Sequence, residues 1–127
     1  MSGRVVHFEV PFDDAGRATG FYQDVFGWQI TAMPEFDYHG VSTGPTSDQG
    51  MPSEPGYIGG GMFKRQASFP STPVITIEVD DIDATLAEIE AKGGSTFEKK
   101  MPVGEMGFAA YFKDPEGNVM GLWQNAG

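Results

Sequence analysis

His7 and Glu9 are the residues of this sequence best placed to do chemistry. They lie in RVVHFEV at 4–10, where Val6, Phe8 and Val10 alternate with them. A strand there carries His7 and Glu9 on one face and the apolar set on the other. A histidine beside a carboxylate is an acid–base pair where burial tunes one of the two, and it is equally a cation binder. TIEV at 76–79 repeats HFEV at 7–10 and puts Thr76 and Glu78 in the corresponding places. Both carboxylates have a plainer alternative, a rim facing water. His39 reads as a surface histidine. Glu105, in PVGEMG between two strands, is a further site candidate. The chain has no cysteine, which removes disulfides, thiolate metal sites and cysteine nucleophiles.

These residues need strands to hold them. Pro11 is expected to end the first strand, and Asp13 or Asp14 to cap a helix over about 14–26 that stops at Gly27. Strands are expected at 28–33, 36–43 and 57–63, with a Gly, Pro and Ser rich loop at 44–56 that would serve as a lid or an interface segment. The three glycines inside 57–63 mark a bulge or a close approach to the backbone. After a linker at about 65–72 comes a strand at 73–79. A helix opens at Ile82 with Leu86 and Ile89 on its apolar side, and Gly93 and Gly94 stop it. Strands at 95–101, 107–113 and 119–124 follow, the last two joined by the turn DPEGN.

The same order, strand, helix and three strands, thus occurs twice. GMFK at 61–64 and GLWQ at 121–124 match as well. Neither half can bury its sheet alone, so one domain over 1–127 is expected, with module 1 at about 3–64 and module 2 at about 73–125. The 18 acidic and 8 basic residues give a net charge of −10. Such a surface repels nucleic acid and anionic lipid. No apolar run approaches the ~20 residues of a membrane span, and the N-terminus lacks an apolar signal core, so a cytoplasmic protein is expected.

His7 in the first strand, FYQDVFGW at 21–28, VDDIDATL at 79–86 and FKDPEGNVMGLWQ at 112–124 together resemble the vicinal oxygen chelate superfamily, which includes glyoxalases, bleomycin resistance proteins and ring-cleaving dioxygenases. The resemblance covers essentially the whole chain and is closest to small bacterial glyoxalase-related proteins. It implies an α+β fold of two βαβββ modules in pseudo-twofold arrangement, forming an open cup of curved mixed sheets. It also implies a small-molecule ligand and a homodimer.

In metal-dependent members the ligands come from the first and last strands of each module. Carried onto this chain those positions are His7, Gly61, Thr76 and Gly121. Two glycines and a threonine leave His7 as the sole good ligand, so no cofactor is expected, and His7 is a metal ligand only if a divalent metal is present. The glycines would enlarge the cup, and Trp28, Tyr38, Phe63, Tyr111 and Trp123 are candidates to line it with Thr76, Gly61, Gly121 and Glu105. For each aromatic, ordinary packing is the alternative. The leading functional expectation is a small-molecule-binding protein with a degenerate metal site, of the sequestration or sensing kind. The alternative is a lyase, isomerase or epimerase using His7 with Glu9 or Glu78. Glyoxalase chemistry on a glutathione adduct is not expected, because it needs the metal.

Overall fold

The computed structural model describes residues 3–67 and 69–127. Met1 and Ser2 of the expected domain, and Ser68 of the expected linker, lie outside the described residues. The chain divides into two units. One runs from His7 to Pro73; the other runs from Val74 to Gly127 and takes in Gly3–Val6.

The first unit holds β1 (Val5–Phe12) from His7 onward, α1 (Ala15–Phe26), β2 (Gln29–Met33), β3 (Tyr38–Ser42) and β4 (Gly60–Lys64). Its strand order is β2-β3-β4-β1, with β4 parallel to β1 and the other pairs antiparallel. The second unit holds β5 (Val74–Glu78), α2 (Ile82–Ala91), β6 (Ser95–Val103), β7 (Gly107–Lys113) and β8 (Val119–Asn125). Its order is β5-β8-β7-β6, with β8 parallel to β5. Each unit is therefore a βαβββ module, and the class is α+β, as the repeat predicts.

Local chemistry explains the boundaries. Asp14 caps α1 by accepting from the Arg17 N–H at 2.9 Å, and Gly27 closes it in the left-handed region at φ 72°. Asp81 caps α2 through the Ala84 N–H at 3.1 Å. Asp114 accepts from the backbone N–H groups of Glu116 and Asn118, which folds DPEGN into the turn between β7 and β8. The Asn118 side-chain amide, which donates to Oδ2 at 3.0 Å, together with these backbone bonds holds the Asp114 carboxyl below the usual range.

Several boundaries differ from expectation; β6, for one, runs on to Val103, and three others bear on the site. β1 runs through Pro11 to Phe12. The Phe12 carbonyl accepts from Arg65 N–H on the β4 side, so the missing N–H of Pro11 points away from that ladder and costs it no bond. Pro34–Phe36 forms a 3-10 turn, so β3 starts at Tyr38. β4 starts at Gly60, and residues 57–59 stay in the loop.

Each unit buries one sheet face under its helix. In the first, Phe12, Val41 and Met62 form the core, with Phe8, Val10, Ala18, Tyr22 and Trp28 packed around them. In the second, Val79, Ile82, Leu86, Ala110, Phe112 and Leu122 do the same. α1 buries no residue fully and leaves Phe21, Val25 and Phe26 more than half exposed.

Candidate functional site

Strand alternation turns His7 and Glu9 to the face of β1 opposite Phe8, Val10 and the helix. Register then makes an unusual row: Glu9 on β1 lies beside Gly61 on β4, and Gly61 beside Gly40 on β3. Two strand spacings, roughly 9–10 Å, separate β3 from β1. With no side chain at Gly61, the Tyr38 ring of β3 lies across it. A Cβ at Gly61 would sit 1.7 Å from the Tyr38 hydroxyl.

The phenol reaches both polar residues of β1. Its hydroxyl donates to Glu9 Oε2 at 2.7 Å and lies 2.9 Å from His7 Nε2. The His7 and Tyr38 rings are nearly parallel, at 17°. Glu9 is only 7% exposed, one of the two buried polar side chains among the described residues. Burial pulls the His7 imidazole below its ordinary pKa, and the charge of Glu9 opposes this in part. The imidazole is thereby biased toward its neutral form, the form a general base requires.

The second unit has its own polar face. Thr76, Gly121 and Tyr111 form a row across β5, β8 and β7, and Glu78, Trp123 and Ala109 form the next. Glu78 Oε2 accepts from Asn125 Nδ2 at 3.1 Å, and Asn125 Oδ1 accepts from Trp123 Nε1 at 2.9 Å. Thr76 is buried, and a Cβ at Gly121 would lie 2.8 Å from its Oγ1. The letter match of GMFK to GLWQ hides a difference in register. Gly121 faces Thr76, the counterpart of His7, whereas Gly61 faces Glu9, two residues further along.

The remaining expected site residues fall as follows. Trp28 lies on the helix side, stacked on Tyr22 at 4.6 Å and tilted against Phe8. Phe63 shares the face of Gly61 and packs on Phe69. Glu105 is exposed at the tip of the β6–β7 hairpin. His39 is no surface histidine: it turns to the core side, edge-on to Phe12 at 5.5 Å, with Nδ1 buried and unbonded among the described residues. The loop between β3 and β4 is closed on itself, with the Tyr57 ring against Gly44 and its hydroxyl donating to the Pro45 carbonyl. A shallow groove of about 470 Å³ runs along Gly27, Gln29 and Ser42 to Thr46. Its lining carries no charge, and none of the expected site residues reaches it.

The sequence missed one group and the role of another. Asn125, which holds Glu78, carried no signal. Tyr38 was legible as an aromatic near a ligand position, but its bridging role needed the β1–β4–β3 register.

The residues at the four positions where the resemblance would place ligands do not suit a divalent cation. Gly61 and Gly121 offer no donor, Thr76 is a poor neutral one, and the space at Gly61 is filled by the Tyr38 phenol. Among the described residues no three His, Asp or Glu side chains converge to hold a metal ion.

A family model described as bleomycin resistance protein-like N-terminal matches residues 4–44, a stretch that includes His7, Glu9 and Tyr38. A probable lactoylglutathione lyase of Vibrio parahaemolyticus is 32% identical, over 98% of this chain and 92% of its own length. A glyoxylase-like domain-containing protein of Didymella fabae is 28% identical, over 100% of this chain and 98% of its own. Among solved structures, a variant of the Streptomyces coelicolor methylmalonyl-CoA epimerase in complex with 2-nitronate-propionyl-CoA superposes with a TM-score of 0.64 at 16% identity, covering 100% of both chains. The fold is the same.

Proposed function

The chain belongs to the vicinal oxygen chelate superfamily, and on that premise we propose that it is a metal-independent proton-transfer enzyme of the lyase, isomerase or epimerase kind, acting on a small molecule at a carbon next to a carbonyl. One observation carries the proposal: His7, Tyr38 and Glu9 form a continuous hydrogen-bonded chain in the place where a metal ligand from position 61 would stand. His7 is the base. Tyr38 and the buried Glu9 orient it and offset the positive charge it gains. The solved epimerase complexes hold methylmalonyl-CoA or an analogue of it, so acyl thioesters form the first panel of substrates. The cytoplasmic setting expected from the sequence stays part of this reading. So does the homodimer, supported by the apolar side chains exposed on α1. No helix among the described residues is long and apolar enough to cross a membrane.

The test is exchange of the substrate α-proton in D2O, followed by NMR. His7→Ala should abolish exchange while ligand affinity stays within about tenfold, and EDTA should leave the rate unchanged. An undiminished rate in His7→Ala removes the proposal. The second reading, sequestration of a small molecule without turnover, is favoured by the bleomycin resistance-like match across all three residues of the chain. It predicts binding with no exchange by the wild type.

A further inference from the structure

The protons along the chain bear on which nitrogen of His7 is free to act. Tyr38 has one hydroxyl proton, and it points to Glu9 Oε2 at 2.7 Å. A carboxylate has no proton to return. The 2.9 Å contact between Tyr38 Oη and His7 Nε2 is then made with Nε2 as donor. A neutral imidazole protonated at Nε2 carries its lone pair on Nδ1. The recorded side-chain bond of His7 is made through Nε2, so Nδ1 stands outside this hydrogen-bonded chain.

We infer that Tyr38 and Glu9 fix His7 in the Nε2–H tautomer, so that Nδ1 is the atom that meets the ligand and Tyr38 is a positioning residue. This defines the ligand class. The group facing His7 is a donor, an acidic C–H or an N–H or O–H, because an anionic oxygen there would face a lone pair. In the reaction, the C–H bond next to the carbonyl breaks and its proton goes to Nδ1. Its electron pair moves to the carbonyl oxygen, giving an enolate. The imidazolium keeps its Nε2–H on Tyr38, whose own proton already leans toward Glu9, so a carboxylate stands behind the new charge. Return of the proton to carbon restores the neutral imidazole.

The catalytic half of the inference rests on the proposed proton transfer; the tautomer half does not. The experiment is 15N NMR of the imidazole nitrogens in the full chain. The protein has two histidines, so His39→Gln assigns the signals. The expected result is an unprotonated Nδ1 and a protonated Nε2 for His7 in the neutral range. Tyr38→Phe keeps the ring and removes the hydroxyl. It should speed exchange of the Nε2 proton with solvent and, on a substrate that turns over, lower kcat roughly tenfold or more while KM moves less than about threefold. A wild-type His7 protonated at Nδ1 overturns the inference even if Tyr38→Phe fails to fold. An Nε2 proton that exchanges equally fast in Tyr38→Phe overturns the role of Tyr38. An Nε2–H tautomer in a protein that exchanges no α-proton supports the positioning and removes only the proposed function.

Discussion

Gly61→Ala should cost far more than an alanine in a strand normally does. The added Cβ would lie 1.7 Å from Tyr38 Oη and 2.0 Å from Cζ. The obstacle is the far end of a side chain, so the phenol swings aside and the backbone stays. What is lost is the bond to Glu9, worth about 1.5–3 kcal/mol because the acceptor is charged, and the bond to His7, worth about 0.5–1.5 kcal/mol. Relief of glycine entropy returns about 0.5–1 kcal/mol. The net is a destabilisation of roughly 1–4 kcal/mol, centred near 2.5, or a melting temperature lower by about 10 °C at that centre. The matched control is Gly121→Ala, where the new Cβ meets Thr76 Oγ1 at 2.8 Å and little else closer than 3.4 Å. A threonine rotation absorbs that, at a cost under about 1 kcal/mol. Urea denaturation of both variants, with Gly61→Ala repeated in a Tyr38→Ala background, gives the coupling energy. Once the ring is gone, Gly61→Ala should be nearly free. A Gly61→Ala cost below about 0.5 kcal/mol, or one that adds fully to Tyr38→Ala, refutes the account of Tyr38 filling this space.

Two further outcomes follow from buried imidazoles. Burial lowers the His7 pKa, so the unfolded chain takes up a proton before the folded one does. The stability this group contributes is present above its ordinary value of 6.5 and is lost as pH falls from there through the folded pKa. Wild type should therefore lose stability relative to His7→Gln in denaturation series from pH 8 to pH 5, and parallel curves would contradict it. His39→Phe should leave stability equal or raise it by about 1–2 kcal/mol, because it removes the unbonded Nδ1 and keeps an aromatic against Phe12. A loss above about 1 kcal/mol in a thermal melt would show that Nδ1 has a partner.

The modules were legible because their signals are local. Asp14 and Asp81 cap helices, Gly27 stops one, and DPEGN folds on its own carboxylate. The alternation that put His7 and Glu9 together is likewise a property of one strand. Tyr38 could be identified as aromatic and near, but its contact with them depends on pairing between strands far apart in sequence. The same holds for His39. Its parity on β3 depends on where the strand starts, and the 3-10 turn at Pro34–Phe36 decides that. The triple glycine did announce a close approach. Phe8 covers Gly60 from the helix side and Tyr38 covers Gly61 from the other, and composition alone could not name either ring.

The tyrosine lying over Gly61 also constrains how this site can change by mutation. A ligand-bearing side chain at position 61 and the phenol of Tyr38 compete for the same volume. A glutamate or histidine installed at position 61 alone would evict the phenol and leave buried Glu9 without it, before any metal could compensate. Loss of the phenol alone would open the space and provide no donor to fill it. The two positions are therefore epistatic. Each single step toward a metal-binding arrangement is a step down in stability, and only the paired change crosses between the two designs.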